Sequence, residues 1–210
     1  MNKVVYMFWT GSNEMSDNRK ESLLSFIKTS EVPVLLITPK NLSKYTDKPI
    51  HEAYNYLSET HKADYLRTHF MRFHGGGYSD IKKTTGSWIG SFEDIEKSDN
   101  WICGYKEIRG GVAYGPLENK WDELVGNGAY VCKPNTPLSI DWYNEMIGLL
   151  DKKLEVLKLN PATHPQDDGV KSGYPIQWNE MLGRIFHKVS YKYRHKIMRT
   201  LPISIFTSYR

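Results

Sequence analysis

The stretch HKADYLRTHFMRFHGGGYSDIKK, His61–Lys83, decides the fold. Ala63, Leu66, Phe70 and Phe73 recur at helical spacing and predict one apolar face turned to a core. The helical pattern begins upstream, at His51. Gly75, Gly76 and Gly77 end it, as glycines past a helix C-terminus do. A short strand, Tyr78–Thr84, is expected next, carrying Asp80 with Lys82 and Lys83 close behind. Helix, glycine turn and strand in succession point to a layered α/β chain.

The flanking sequence agrees. Val4–Trp9 is a continuous apolar run, as in a strand buried on both faces. Asp17–Ser30 reads as a helix with Asp17 as its N-cap, and Val32–Thr38 as a second buried strand. The chain thus opens β-α-β, the signature of a parallel sheet with crossover helices. Further on, a helix is expected around Phe92–Lys97 and a strand at Trp101–Lys106. Gly126-Asn127-Gly128 should be a turn before a strand ending near Lys133. Leu138–Leu159 reads as a long helix, Asn160–Pro175 as a polar loop, and Gln177–His187 as a helix before a basic tail. The expected architecture is α/β: a central mixed, mostly parallel sheet of Rossmann type flanked by helices. One domain should span residues 1–210, alone or within a longer chain.

Bulk composition narrows the function. Net charge is +4 across 210 residues, a mild excess that by itself does not argue for nucleic acid. No helix-turn-helix or RNA-recognition pattern is present, so no nucleic-acid partner is expected. No segment approaches the roughly 18 apolar residues of a membrane span, and the N-terminal run lacks the features of a signal peptide. Cys103 and Cys132 each sit in an apolar β-like run and read as buried free thiols, which suits the cytoplasm. No Cys/His spacing suggests zinc. The 14 Tyr and 6 Trp supply flat faces with polar tips, suited to rings and sugars but equally to an aromatic core.

In open α/β sheets ligands bind beyond the carboxyl ends of the strands. Phe8, Trp9 and Thr10 fall at the first such end, Asp80 near another, and Asn127 beside a third. Asp64 and Arg67 are three apart on the helix and flank its apolar stripe. They form either an ordinary surface ion pair or the edge of a cleft. Each feature alone has a plain structural reading: a helix stop, a core tryptophan, a turn aspartate. Their combination is more informative.

That combination resembles the sugar-nucleotide glycosyltransferases with a D-x-D sugar-binding motif, among them the Och1-like mannosyltransferases and the capsular polysaccharide transferases. Their pattern is D-x-x-R, a helix, then G-G-x-Y-x-D-x-D. Here Asp64 and Arg67 fill the first part, and Gly75-Gly76-Gly77-Tyr78-Ser79-Asp80 fills the second, with Gly77 as the variable position. The segment YMFWTG matches the aromatic-rich end of the family's first strand. The likeness covers roughly the first 85 residues, with looser echoes later.

The resemblance implies a GT-A-like fold. It also implies a metal-dependent enzyme that moves a sugar from a UDP-sugar to a glycan or glycoprotein acceptor, with retention of configuration. Phe8 or Trp9 would stack on the base, Thr10 would line the donor site, Asp64 and Arg67 would orient ribose or sugar hydroxyls, and Asn127 would touch donor sugar or acceptor. Asp80 would hold Mn²⁺ or Mg²⁺, which acts as a Lewis acid on the diphosphate.

One position departs from the pattern: the second acid of D-x-D is Lys82. The diphosphate and a further protein ligand could complete a metal shell, with His164, Asp167 and Asp168 in the polar loop as candidates. Lys82 could itself replace the metal's charge, which places it with Asp80 in the catalytic set. It could also turn away, although residues two apart on a strand share a face. A degenerate transferase that binds nucleotide or glycan without turnover is the alternative function. The polar loop and the basic tail, His187–Arg199, both have a plain reading as solvated surface.

Overall fold

The computed structural model describes residues 1–209. Among these residues six strands form one sheet: β1 (Val5–Phe8), β2 (Val34–Ile37), β3 (Gly76–Ser79), β4 (Ile102–Lys106), β5 (Val125–Cys132) and β6 (Ile197–Met198), in the order β2-β1-β3-β5-β4-β6. β1 runs parallel to β2 and β3, and β6 parallel to β4, whereas β5 is antiparallel to both neighbours. Five α-helices flank the sheet: α1 (Asp17–Ser30), α2 (Glu59–Phe73), α3 (Ile89–Lys97), α4 (Pro137–Leu159) and α5 (Gly183–Lys192). The fold is the mixed, mostly parallel α/β sheet that the sequence leads one to expect.

β1 shows why this sheet must be covered on both sides. All four of its residues are buried. Val5 and Met7 point into one core with Phe26, Trp88 and Phe92, while Tyr6 and Phe8 point into the other with Phe70, Tyr130, Trp142 and Phe186. A period of two places alternate side chains in opposite layers, so an uninterrupted apolar strand needs helices above and below.

Several boundaries differ from expectation, each for a local reason. Ser16, not Asp17, caps α1: its hydroxyl accepts from the Arg19 amide, and Asp17 is the first helical residue. The helix anticipated from His51 is broken. A 3₁₀ turn over Glu52–Tyr56 ends at extended Leu57, and Ser58 then caps α2 by accepting from the His61 amide. A serine followed by glutamate is an N-terminal signal that hydrophobic spacing overran. Of the expected apolar face, Leu66 and Phe70 are fully buried, whereas Ala63 and Phe73 are half-buried. α5 starts at Gly183, and the basic tail becomes its last turns, a 3₁₀ turn and β6.

The glycine triplet does more than stop a helix. Gly75 and Gly76 hold φ of 63° and 101°, conformations that disfavour side chains. At Gly77 a Cβ would lie 2.8 Å from the Val5 side chain, so the close approach of β3 to β1 also requires glycine. The strand therefore starts at Gly76, earlier than expected, and ends at Ser79. Asp80 lies just past its carboxyl end, its amide donating to the Gly128 carbonyl at 2.8 Å. Gly126-Asn127-Gly128 is not a turn but part of β5. Tyr105 explains Gly126: a Cβ there would sit 1.9 Å from the phenol ring.

Candidate active site

A cleft of about 1260 Å³ opens at the carboxyl ends of β1 and β3. Phe8, Trp9, Thr10, Asp64, Arg67, Asp80, Lys82, Asn127, His164 and Asp168 all line it. Residues spread over most of the chain converge here because β1 and β3 are adjacent and parallel, and α2 crosses between them in sequence.

Its floor is a charge-balanced cluster. Arg67 Nη2 lies 3.0 Å from Asp64 Oδ1 and 3.3 Å from Asp80 Oδ1. Arg67 Nη1 donates to the Asn127 carbonyl at 2.9 Å. Its guanidinium carbon stands 4.3 Å from the centre of the Tyr78 ring, a cation–π contact. One side chain thus ties α2 to β3 and β5, and its planar fork suits that role. Asp80 receives the Tyr78 hydroxyl at 2.6 Å on Oδ1 and the Lys82 ammonium at 2.8 Å on Oδ2. Two carboxylates therefore face two cations. Lys82 reaches Asp80 through a tight turn, its amide donating back to the Asp80 carbonyl at 2.7 Å, and not through strand alternation.

The cluster separates the two acids electrostatically. Burial raises the Asp64 carboxyl, and Arg67 offsets only part of this. Burial would raise Asp80 too, but Lys82 and Arg67, with hydrogen bonds from Lys82 and Tyr78, outweigh it and bring the group to about 2. Asp80 is thus a firmly ionised carboxylate. Burial also raises the phenol of Tyr78, so this hydroxyl remains a donor.

The remaining expected residues divide by how much of them is committed. Phe8 is buried against Phe70 and Tyr78, and its ring belongs mainly to the core. Trp9 is half-buried on the cleft wall, its indole N–H donating to the Asn13 carbonyl at 2.7 Å, which fixes the ring. The Thr10 hydroxyl donates to the Glu59 carbonyl at 2.6 Å, tethering the loop after β1 to the start of α2. His164 and Asp168 lie on a loop that also lines the cleft. Asp167 staples this loop by accepting from Thr163, Gly169 and Ser172. The Pro165 carbonyl accepts from the Thr60 amide, which docks the loop on α2.

The arrangement does not suit Mn²⁺ or Mg²⁺. Such hard cations take several oxygen ligands, yet both Asp80 oxygens are already engaged, one by an ammonium. Among the described residues no group of three or more His, Cys, Asp and Glu could hold a metal ion. The expected set of Asp80, His164 and Asp168 shares a cleft without forming a coordination group, and Asp168 Oδ1 accepts from the Val170 amide.

Sequence reasoning missed Arg19, Trp178 and Tyr209, which also line the cleft. Arg19 Nη1 donates to the Ile81 carbonyl at 2.8 Å, and its guanidinium lies 4.8 Å from the Tyr209 ring centre. Phe206 and Tyr209 place their rings 4.8 and 4.9 Å from the Lys82 ammonium. No local motif marks these positions; Phe206 and Tyr209 are brought there by the return of the chain beside Lys83–Thr85.

The chain is similar in structure to "PaToxG Glycosyltransferase", with a TM-score of 0.52 and 13% identity, covering 91% of this chain and 69% of that one. At that identity the likeness is one of fold: this chain shares its α/β architecture with that glycosyltransferase structure. No protein-family model matches the sequence, and no curated protein does. The six-stranded sheet and its flanking helices thus carry a likeness that the sequence as a whole does not. No helix among the described residues is long and apolar enough to cross a membrane.

Proposed function

We propose that the protein transfers a sugar from a UDP-sugar to a glycan or glycoprotein acceptor, with retention of configuration. The observation that carries this reading is the Asp64–Arg67–Asp80–Lys82 cluster on the floor of a strand-end cleft in a GT-A-like fold. Trp9 offers a fixed aromatic wall for the base. The edges of Asp64, Arg67 and Asn127 that reach the cleft orient ribose or sugar hydroxyls, and exposed Trp178 offers a face to an acceptor sugar. In the reaction the bond from the anomeric carbon to the phosphate oxygen breaks, and the acceptor oxygen bonds that carbon. In a retaining route the departing phosphate oxygen takes the acceptor's proton.

Two measurements test the reading. In a thermal-shift panel of UDP, GDP and CMP, UDP stabilises the protein most. Slow release of UDP from a UDP-sugar occurs with the parent and is lost in Asp80→Ala. A variant that hydrolyses as fast as the parent, or UDP without any shift, sinks the proposal, and an inverted linkage removes the retaining route.

The pairing of Asp80 with Lys82 also favours a second reading, a degenerate transferase that binds nucleotide without turnover. It predicts stabilisation by UDP with no UDP released from any UDP-sugar.

A further inference from the structure

Lys82 stands where a second metal-binding acid is expected, and its surroundings hold it there. Its side chain is 11% exposed, its ammonium is 2.8 Å from Asp80 Oδ2, and the rings of Phe206 and Tyr209 bracket it at 4.8 and 4.9 Å. An ammonium has three donors. Asp80 uses one, and Lys82 lines the cleft with Arg67 and Arg19 close by. An ammonium is a compact point charge that binds phosphate well. A divalent cation on Asp80 would have to share a carboxylate with that ammonium and would find no further cluster of ligands among the described residues.

We infer that this cleft binds the diphosphate of its donor through Lys82 without a divalent cation, and that Asp80 positions the ammonium instead of ligating metal. The inference rests on the sugar-nucleotide reading above. As the anomeric carbon–oxygen bond breaks, its electron pair passes to the leaving phosphate oxygen. Lys82 then faces growing negative charge with a donor already in place, so little reorganisation is needed. Phe206 and Tyr209 act as positioning residues: their ring faces hold the cation without quenching its charge.

Calorimetric titration of UDP and of uridine tests this, in EDTA and in Mn²⁺, on the parent, Lys82→Met and Lys82→Arg. The parent should bind UDP in EDTA, and Mn²⁺ should change its Kd by less than about threefold. Lys82→Met should weaken UDP by about tenfold or more and leave uridine unchanged, while Lys82→Arg should keep most of the affinity. Strengthening by Mn²⁺ beyond about threefold, or binding only with Mn²⁺, overturns the inference and leaves the transferase reading intact. So does a Lys82→Met protein, shown folded by its melting temperature, that binds UDP as the parent does. If Lys82→Met fails to fold, the comparison of EDTA with Mn²⁺ on the parent still decides. No binding of UDP in either condition overturns both readings.

Discussion

His69 should make this fold acid-sensitive, and His69→Phe should relieve it. The ring is fully buried on α2, and neither nitrogen has a hydrogen-bond partner. It packs against Tyr65, Phe73 and Tyr143, all aromatic. Burial first, and then the neighbouring His74, lowers its pKa from 6.5 to about 4. The sign follows from the direction of that shift. Between these values the unfolded chain takes up a proton and the folded chain does not, so acid favours unfolding. Stability is complete above 6.5 and falls as the pH drops toward 4. At about 1.4 kcal/mol per pKa unit, the full loss is about 3.5 kcal/mol. Most of it, about 2.5 kcal/mol, should have appeared by about pH 4.5. Phenylalanine keeps the ring, lacks the proton site and removes two unpartnered polar atoms, each of which disfavours burial. Urea unfolding of parent and variant at about pH 7.5 and about pH 4.5 measures this directly. The variant should be the more stable at both, with the gap widening by about 2.5 kcal/mol in acid. Parallel pH profiles would refute the reasoning, since the ring would then have a route to protonation that its burial denies.

Other outcomes follow from the cleft and its supports. Asp80→Asn strands Arg67 and Lys82 near a single remaining acid, and should lower stability at neutral pH by about 3 kcal/mol in urea melts. Because folding depresses Asp80 from 3.8 to about 2, its contribution is present above 3.8 and lost as pH falls toward 2, so the variant should lack that last acid transition. Gly126→Ala drives a methyl group into the Tyr105 ring and should destabilise by about 1–3 kcal/mol. Pairing it with Tyr105→Leu should recover part of the loss, and a purely additive double variant would exclude that clash as the cause. Trp9→Ala should weaken uridine nucleotides by roughly five- to tenfold in calorimetry with little change in melting temperature. Unchanged affinity would remove Trp9 from the donor wall.

The sequence by itself determined the layers of this protein. A four-residue strand apolar at every position demands cover on both faces, and β1 meets that demand with Val5 and Met7 on one side and Tyr6 and Phe8 on the other. It also placed Asp64, Arg67 and Asp80 close together, because a helix, a glycine turn and a short parallel strand leave little freedom over so few residues. Tertiary structure decided what those residues are engaged in. Lys82 meets Asp80 through a turn that alternation did not suggest, Asn127 offers its carbonyl to Arg67 from inside a strand, and Phe8 turns into the core. Arg19, Phe206 and Tyr209 carry no local signal at all. Their contacts with the cleft and with Lys82 depend on the path of the whole chain, and pairing between residues so distant in sequence is fixed by packing, not by any pattern within reach of a single motif.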